Sequence, residues 1–175
     1  PAGVTTLTDG FLYVTGGSTM FSDDFSDGNA AGWNISPLGF AAGWSVISGS
    51  YQYDGGGHTQ SYTGDGSWQN YALEASFQLD STSNYPGGIR GRVNPVTGEG
   101  YAVWLYPASG QIILWRATGW NVDSPGLTQL AVAGGMSLSA GIQHNINFNF
   151  FNDLIEVYFN GQLIISVLDS TYSTG

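Results

Sequence analysis

Apolar residues recur at every second position in this chain, and no stretch repeats them at the three-to-four spacing of a helix. From Tyr71 to Leu79 the odd positions are Tyr, Leu, Ala, Phe and Leu with mostly polar residues between them, and from His144 to Phe150 the residues Ile146, Phe148 and Phe150 alternate with Asn145, Asn147 and Asn149. A period of two sends alternate side chains to opposite faces of a sheet, so both stretches are strands with one buried face. Leu73, Ala75, Phe77, Ile146, Phe148 and Phe150 are the expected core. Beyond Phe150, Asn152-Asp153 and Asn160-Gly161 mark off two more stretches, Leu154–Phe159 and Gln162–Leu168. An Asn-Gly pair supplies the positive φ angles of a tight hairpin, which makes a three-stranded antiparallel meander. Further strands are expected near 4–8, 11–15, 44–48, 50–53, 59–63, 88–93, 100–106 and 111–117. Short strands divided by Gly, Pro and Asn predict an all-β antiparallel sandwich.

The two ends of the chain read as continuous. QLIISVLDSTYSTG at 162–175 stops where one more strand is due, and PAGVTTLTDGFLYVT at 1–15 has the look of that strand. The expected organisation is therefore a strand segment at 1–17, displaced from the closing position, and a sandwich at 18–175. Val4, Leu7, Phe11, Tyr13 and Val14 would dock the segment, with Gly16-Gly17 as its hinge. The strand belongs in its own domain or in a neighbouring copy, whose open sheet edge would accept it. The opening Pro1 suits a processed or excised segment.

Composition removes several functions. No cysteine is present, which excludes thiol chemistry, disulfides and cysteine metal sites. Lysine is absent, the three cations are Arg90, Arg92 and Arg116, and thirteen carboxylates bring the net charge to −10. Such a chain does not bind nucleic acid or anionic lipid through phosphate neutralisation. No apolar run is long enough for a membrane-spanning helix. A surface of Ser, Thr and Asn changes little with pH or salt, which suits an extracellular or cell-surface setting. Asn34-Ile35-Ser36 is a sequon that would permit glycosylation at Asn34.

The runs FSDDFSDGNAAGW (21–33), GWSVISGSYQYDG (43–55), SWQNYALEASFQL (67–79), GGIRGRV (87–93), GYAVWLYPASGQIILWR (100–116) and HNINFNFFNDLIEVYFNGQLI (144–164) occur in an order that resembles laminin-G-like, concanavalin-A-like domains. The resemblance implies a jelly roll of two curved antiparallel sheets, with Phe11-Leu12-Tyr13-Val14 in the place of the closing strand. Carbohydrate-binding modules, lectins, adhesion domains and glycosidases share that fold, so function must be argued at the residues.

A glycosidase needs two carboxyl groups flanking the scissile bond. Glu74 has no carboxylate companion on its strand, Glu99 sits in a Gly-flanked turn and Glu156 stands alone, so no enzyme is expected. His58 and His144 are too far apart in sequence to read as a metal pair, and both are expected to face solvent. Asp23, Asp24 and Asp27 in SDDFSDG are the candidate ligands of a structural calcium, because hard cations take clustered carboxylates, while an acidic turn explains them as well. Trp104, Tyr106, Trp115 and Trp120 are the candidate glycan platform, with Arg116 and Asn121 placed to bond hydroxyls. Both faces of the 100–106 strand are apolar, so one packs inward and the other meets a ligand or a subunit. The expected function is a non-catalytic extracellular structural subunit that assembles head-to-tail with copies of itself into a fibre, pilus or sheath, by β-strand complementation or as one module of a tandem array. The alternative is a carbohydrate-binding or adhesion module that takes a polysaccharide.

Overall fold

The structure is a computed structural model that describes residues 5–15, 18–38, 43–54, 58–79, 87–121 and 126–175, with the first of these segments described as backbone. The fold is an all-β sandwich. Its larger sheet holds β1 (Thr5–Thr15), β2 (Ser18–Asp23), β4 (Trp44–Ile47), β5 (Ser50–Tyr53), β7 (Tyr71–Leu79), β12 (Gln143–Phe151), β13 (Leu154–Phe159) and β14 (Gln162–Leu168). They run in the order β14-β13-β12-β7-β1-β5-β4, with β2 added beside β1. The second sheet is β8 (Gly87–Gly91), β9 (Glu99–Tyr106), β10 (Gln111–Thr118) and β11 (Leu127–Gly134), in the order β11-β10-β9-β8. A short pair, β3 (Asn34–Ile35) and β6 (Ser61–Tyr62), stands apart, and the only helical element among the described residues is a 3-10 turn at Pro107–Ser109. No described helix is long and apolar enough to cross a membrane.

The alternation read from the sequence sets the packing. Leu73, Ala75 and Phe77 of β7 are buried with Ile146, Phe148 and Phe150 of β12, and they meet Tyr101, Val103 and Leu105 of β9 and Ile112 and Leu114 of β10 across the sandwich. Each of the larger apolar side chains among them contributes about 1.5–3 kcal/mol by leaving water. Asn160 and Gly161 both take positive φ, 48° and 80°, so the meander turns as the Asn-Gly pair requires. One expectation is corrected by the same arithmetic. His144 shares its parity with Ile146, and it is buried, 4% exposed, between the rings of Phe77 and Phe159 at 5.7 and 5.2 Å. His58 is exposed.

The head segment pairs within its own chain. The predicted strands 4–8 and 11–15 are one irregular strand, β1, which faces β7 in the register Leu7↔Phe77, Phe11↔Ala75, Tyr13↔Leu73 and Val14↔Ala72. Its other edge meets β5 and then β2. Val4, Gly16 and Gly17 lie outside the described residues. Three strands escaped the sequence reading altogether. These are β2 and β11, whose small or polar residues give a weak alternation, and the two-residue β3.

A buried guanidinium closes one end of the sandwich. Arg92 is 2% exposed and follows β8 at φ 48°. Its Nε and one Nη donate to the carbonyl of Gln69 at 3.1 and 2.9 Å, and it reaches the carbonyls of Asn152 at 2.8 Å and Tyr172 at 2.9 Å. The guanidinium also lies 4.9 Å from the centroid of the Phe150 ring. One side chain thus joins the start of β7, the β12–β13 turn and the C-terminal tail. Lysine carries the same charge on a single nitrogen, whose three N–H groups do not reproduce the spread of the three guanidinium nitrogens that reach these carbonyls. Arg92→Lys is expected to lower the unfolding free energy in denaturant titrations by about 2 kcal/mol or more, with faster amide exchange in residues 169–175 as its signature.

Candidate functional site

The residues between β2 and β6 form a wall of stacked rings. Asp23 starts it, since its two carboxylate oxygens accept from the Phe25 N–H and the Trp33 indole N–H, both at 2.9 Å. Phe25, fully buried at φ 56°, stacks on Tyr51 at 5.2 Å, and Tyr51 in turn lies 5.4 Å from Trp33 and 4.8 Å from Trp44. Trp44 donates to the Thr59 hydroxyl at 3.2 Å, and the Tyr51 and Ser61 hydroxyls share a hydrogen bond at 2.9 Å. These polar edges tie the rings to β6.

The facing wall is β8, the 94–98 turn and Trp120. Asn94 folds that turn by accepting from the N–H groups of Val96 and Thr97. Gly98 ends it at φ 77°, where an added Cβ would stand 2.3 Å from the Trp120 nitrogen and 2.4 Å from its ring. Only glycine lets Trp120 sit there. Trp120 then stacks on Tyr62 at 5.2 Å and lies 5.6 Å from the Arg90 guanidinium. Gln60 bridges the walls, donating to the Trp120 carbonyl at 2.9 Å and accepting from Arg90 at 2.6 Å. Between the walls is a cleft of about 160 Å³ lined by Trp33, Trp44, Trp68 and Trp120, four of the chain's six tryptophans, with Tyr62 and Arg90.

Arg90 is the one charged group of the facing wall that points away from the core. It donates to Gln60 and to the Gly98 carbonyl, while its Nε and the Trp120 indole N–H are buried without an acceptor. Desolvation pushes its pKa down to about 10, which leaves it charged at neutral pH. Across the sheet Arg90 is opposite Ala102, and Ala102 opposite Trp115. The outer face of the four-stranded sheet therefore begins at the cleft. Trp104 and Trp115 lie along it with ring centroids 6.2 Å apart, and both are half-buried, as is Tyr106.

The structure thus divides the platform expected from sequence. Trp104, Tyr106 and Trp115 share the outer sheet face, opposite the core residues Tyr101, Val103 and Leu105, whereas Trp120 belongs to the cleft. Arg116 binds Asp169 at 2.8 Å and the Thr171 hydroxyl at 2.8 Å, and Asn121 is exposed. Asp23, Asp24 and Asp27 each accept an N–H two residues on, which builds successive turns. Among the described residues no group of three or more His, Asp or Glu side chains converges in a way that could hold a metal. Asn34 is exposed on β3, and Glu74 on the opposite sheet accepts a hydrogen bond from Asn147 at 2.9 Å. Sequence reasoning missed Trp33, Trp44, Gln60, Tyr62 and Arg90. Their signal was aromatic residues set in Gly- and Ser-rich loops, beside one of only three cations.

No protein-family model matches the chain, and no curated protein does. Among solved structures, a carbohydrate-binding module, CBM66 from Bacillus subtilis, is similar at a TM-score of 0.41 and 12% identity, over 63% of this chain and 80% of that one. A likeness this loose says nothing of ligand or activity.

Two outcomes test the architecture of the site. Gly98→Ala is expected to cost about 1–3 kcal/mol in stability and to change the near-ultraviolet dichroism as Trp120 is displaced. The tail beside the site responds to acid. Burial opposes ionisation of Asp169, but hydrogen bonds from Tyr101 and Thr171 and the Arg116 charge outweigh it and hold the pKa below the ordinary value. A depressed pKa contributes stability that is complete above about pH 4 and is lost as pH falls through the lower folded value. Asp169→Asn should flatten that part of the stability–pH curve.

Proposed function

We propose that this protein is a non-catalytic carbohydrate-binding module, with the aromatic cleft beside Arg90 as its sugar site. The cleft itself carries this reading. Sugars present apolar C–H faces that stack on aromatic rings and hydroxyls that need donors and acceptors, and a site for them combines both kinds of group in a concave space. Here Trp44, Tyr62 and Trp120 supply rings, and Gln60, Asp65 and Arg90 supply polar edges within the same 160 Å³. Trp115 and Trp104 on the outer sheet face are the next rings available to a longer chain, separated from the cleft by the fully buried Ala102. An extracellular polysaccharide is the ligand such a surface suits. Assembly of copies into a fibre by strand donation is the lesser reading, because β1 is paired with β7 of its own chain.

Retention on polysaccharide gels followed by calorimetry with soluble oligosaccharides tests the proposal. Trp44→Ala and Tyr62→Ala are expected to weaken binding about tenfold or more each, as central aromatic anchors do. Trp104→Ala should affect long oligosaccharides more than short ones. Retention on no polysaccharide, or binding untouched by either cleft variant, overturns the assignment.

A further inference from the structure

The three arginines of this chain have different fates, and the difference bears on ligand class. Arg116 has a carboxylate partner, Asp169, at 2.8 Å. Arg92 is enclosed by the carbonyls of Gln69, Asn152 and Tyr172. Arg90 has one amide oxygen, one carbonyl and the face of Trp120, with no carboxylate bonded to it among the described residues. Its Nε and the adjacent Trp120 indole N–H have no acceptor among the described residues. Both of these N–H groups are buried, so what a ligand in the cleft meets is the positive charge of Arg90 itself.

From this we infer that the sugar recognised in the cleft is acidic, carrying a carboxylate or sulfate group that meets Arg90. The inference rests on the cleft being the sugar site. A ligand that covers Arg90 removes more water from its charge. A neutral hydroxyl returns a hydrogen bond and leaves that charge uncompensated, so covering it is costly. An anionic oxygen offsets the loss with charge-assisted hydrogen bonds to the fork of the guanidinium. The net charge of −10 opposes long-range attraction of an anion, but exposed charges are largely screened beyond about 8 Å at physiological ionic strength. Asp65, also in the lining, is exposed, and its carboxylate accepts from the Ser67 N–H at 2.8 Å. It limits the preference without supplying Arg90 with a partner.

Calorimetric titration of the whole chain with three matched sets of oligosaccharides tests this: uronate oligomers, the same oligomers with their carboxyl groups reduced to alcohols, and sulfated oligomers. The expected result is that a uronate or sulfated set binds about tenfold or more tightly than the reduced set, with the advantage shrinking as salt rises. The better of the two charged sets identifies the anionic group. Arg90→Gln is expected to abolish the advantage, so that the variant binds charged and reduced oligomers with affinities within about threefold of each other. Equal affinity of the wild-type chain for charged and reduced oligomers overturns the inference and leaves the sugar site standing. An advantage that survives Arg90→Gln also overturns it. Should that variant not fold, the wild-type comparison of charged and reduced ligands decides by itself. Binding of none of the three sets, nor of any neutral polysaccharide, removes the sugar site along with the inference.

Discussion

The guanidinium of Arg92 is the interaction on which the end of the sandwich beside the cleft depends. Burying a charge is expensive unless its hydrogen bonds are met, and here they are met by main-chain carbonyls from three segments far apart in sequence. Those carbonyls need the cation as much as it needs them. Without it, Gln69, Asn152 and Tyr172 would each leave an acceptor facing the core edge. The arrangement also fixes where the chain goes after β14. Tyr101 holds Asp169 through its hydroxyl at 2.7 Å, Tyr172 donates to the Ala117 carbonyl at 3.0 Å, and Tyr71 donates to the carbonyl of Gly175 at 2.8 Å. The tail becomes a strap across the end of both sheets. Burial of the Tyr71 and Tyr101 hydroxyls drives their pKa values up, so they remain donors throughout the physiological range.

A second organising element is the ring stack that Asp23 begins. Each ring in it comes from a loop or a short strand, and the aromatic contacts take the place of the ladder bonds that these short segments lack. Two-residue strands such as β3 and β6 have little stability of their own. They are held because Tyr51 bonds Ser61 and Ser61 donates to the Asn34 carbonyl at 3.1 Å. The acidic run SDDFSDG, which in sequence invites a cation, accepts main-chain N–H groups that set the path of the chain into this stack.

This division between long strands and short segments decides how much was legible in the sequence. Where residues alternate on long strands, as in β7 and β12, parity fixed both the strand and its buried face. It fixes the place of His144 as well, which counts with Ile146 and Phe148. Parity carried no information on the cleft. Trp33, Trp44, Gln60 and Tyr62 sit on short or irregular segments, and the groups across the cleft are remote in sequence, since Gln60 meets Arg90 30 residues on and Trp120 60 residues on. The outer face of β9 and β10 was half legible: two apolar faces were plain, but only the opposing sheet shows that Tyr101, Val103 and Leu105 are the inward set.

The segment GGIRGRV shows how a single backbone torsion separates stability from recognition. In β8 the pleat sends Ile89 inward and Arg90 outward, and a regular strand would send Arg92 outward too. Strand geometry ends at Gly91, and Arg92 takes φ 48°, which breaks the alternation and leaves its side chain buried. Gly91 must be glycine at that step, because a Cβ there would stand 2.4 Å from the Phe150 ring. Two arginines of the same parity thus reach different environments. One lies beneath the strap with each of its nitrogens engaged by a carbonyl, and the other lines the cleft with its charge unmatched by a carboxylate among the described residues. Changes at Arg90 can therefore alter what the cleft accepts while the clamp below it stays intact, so ligand preference can vary on this scaffold without loss of the fold.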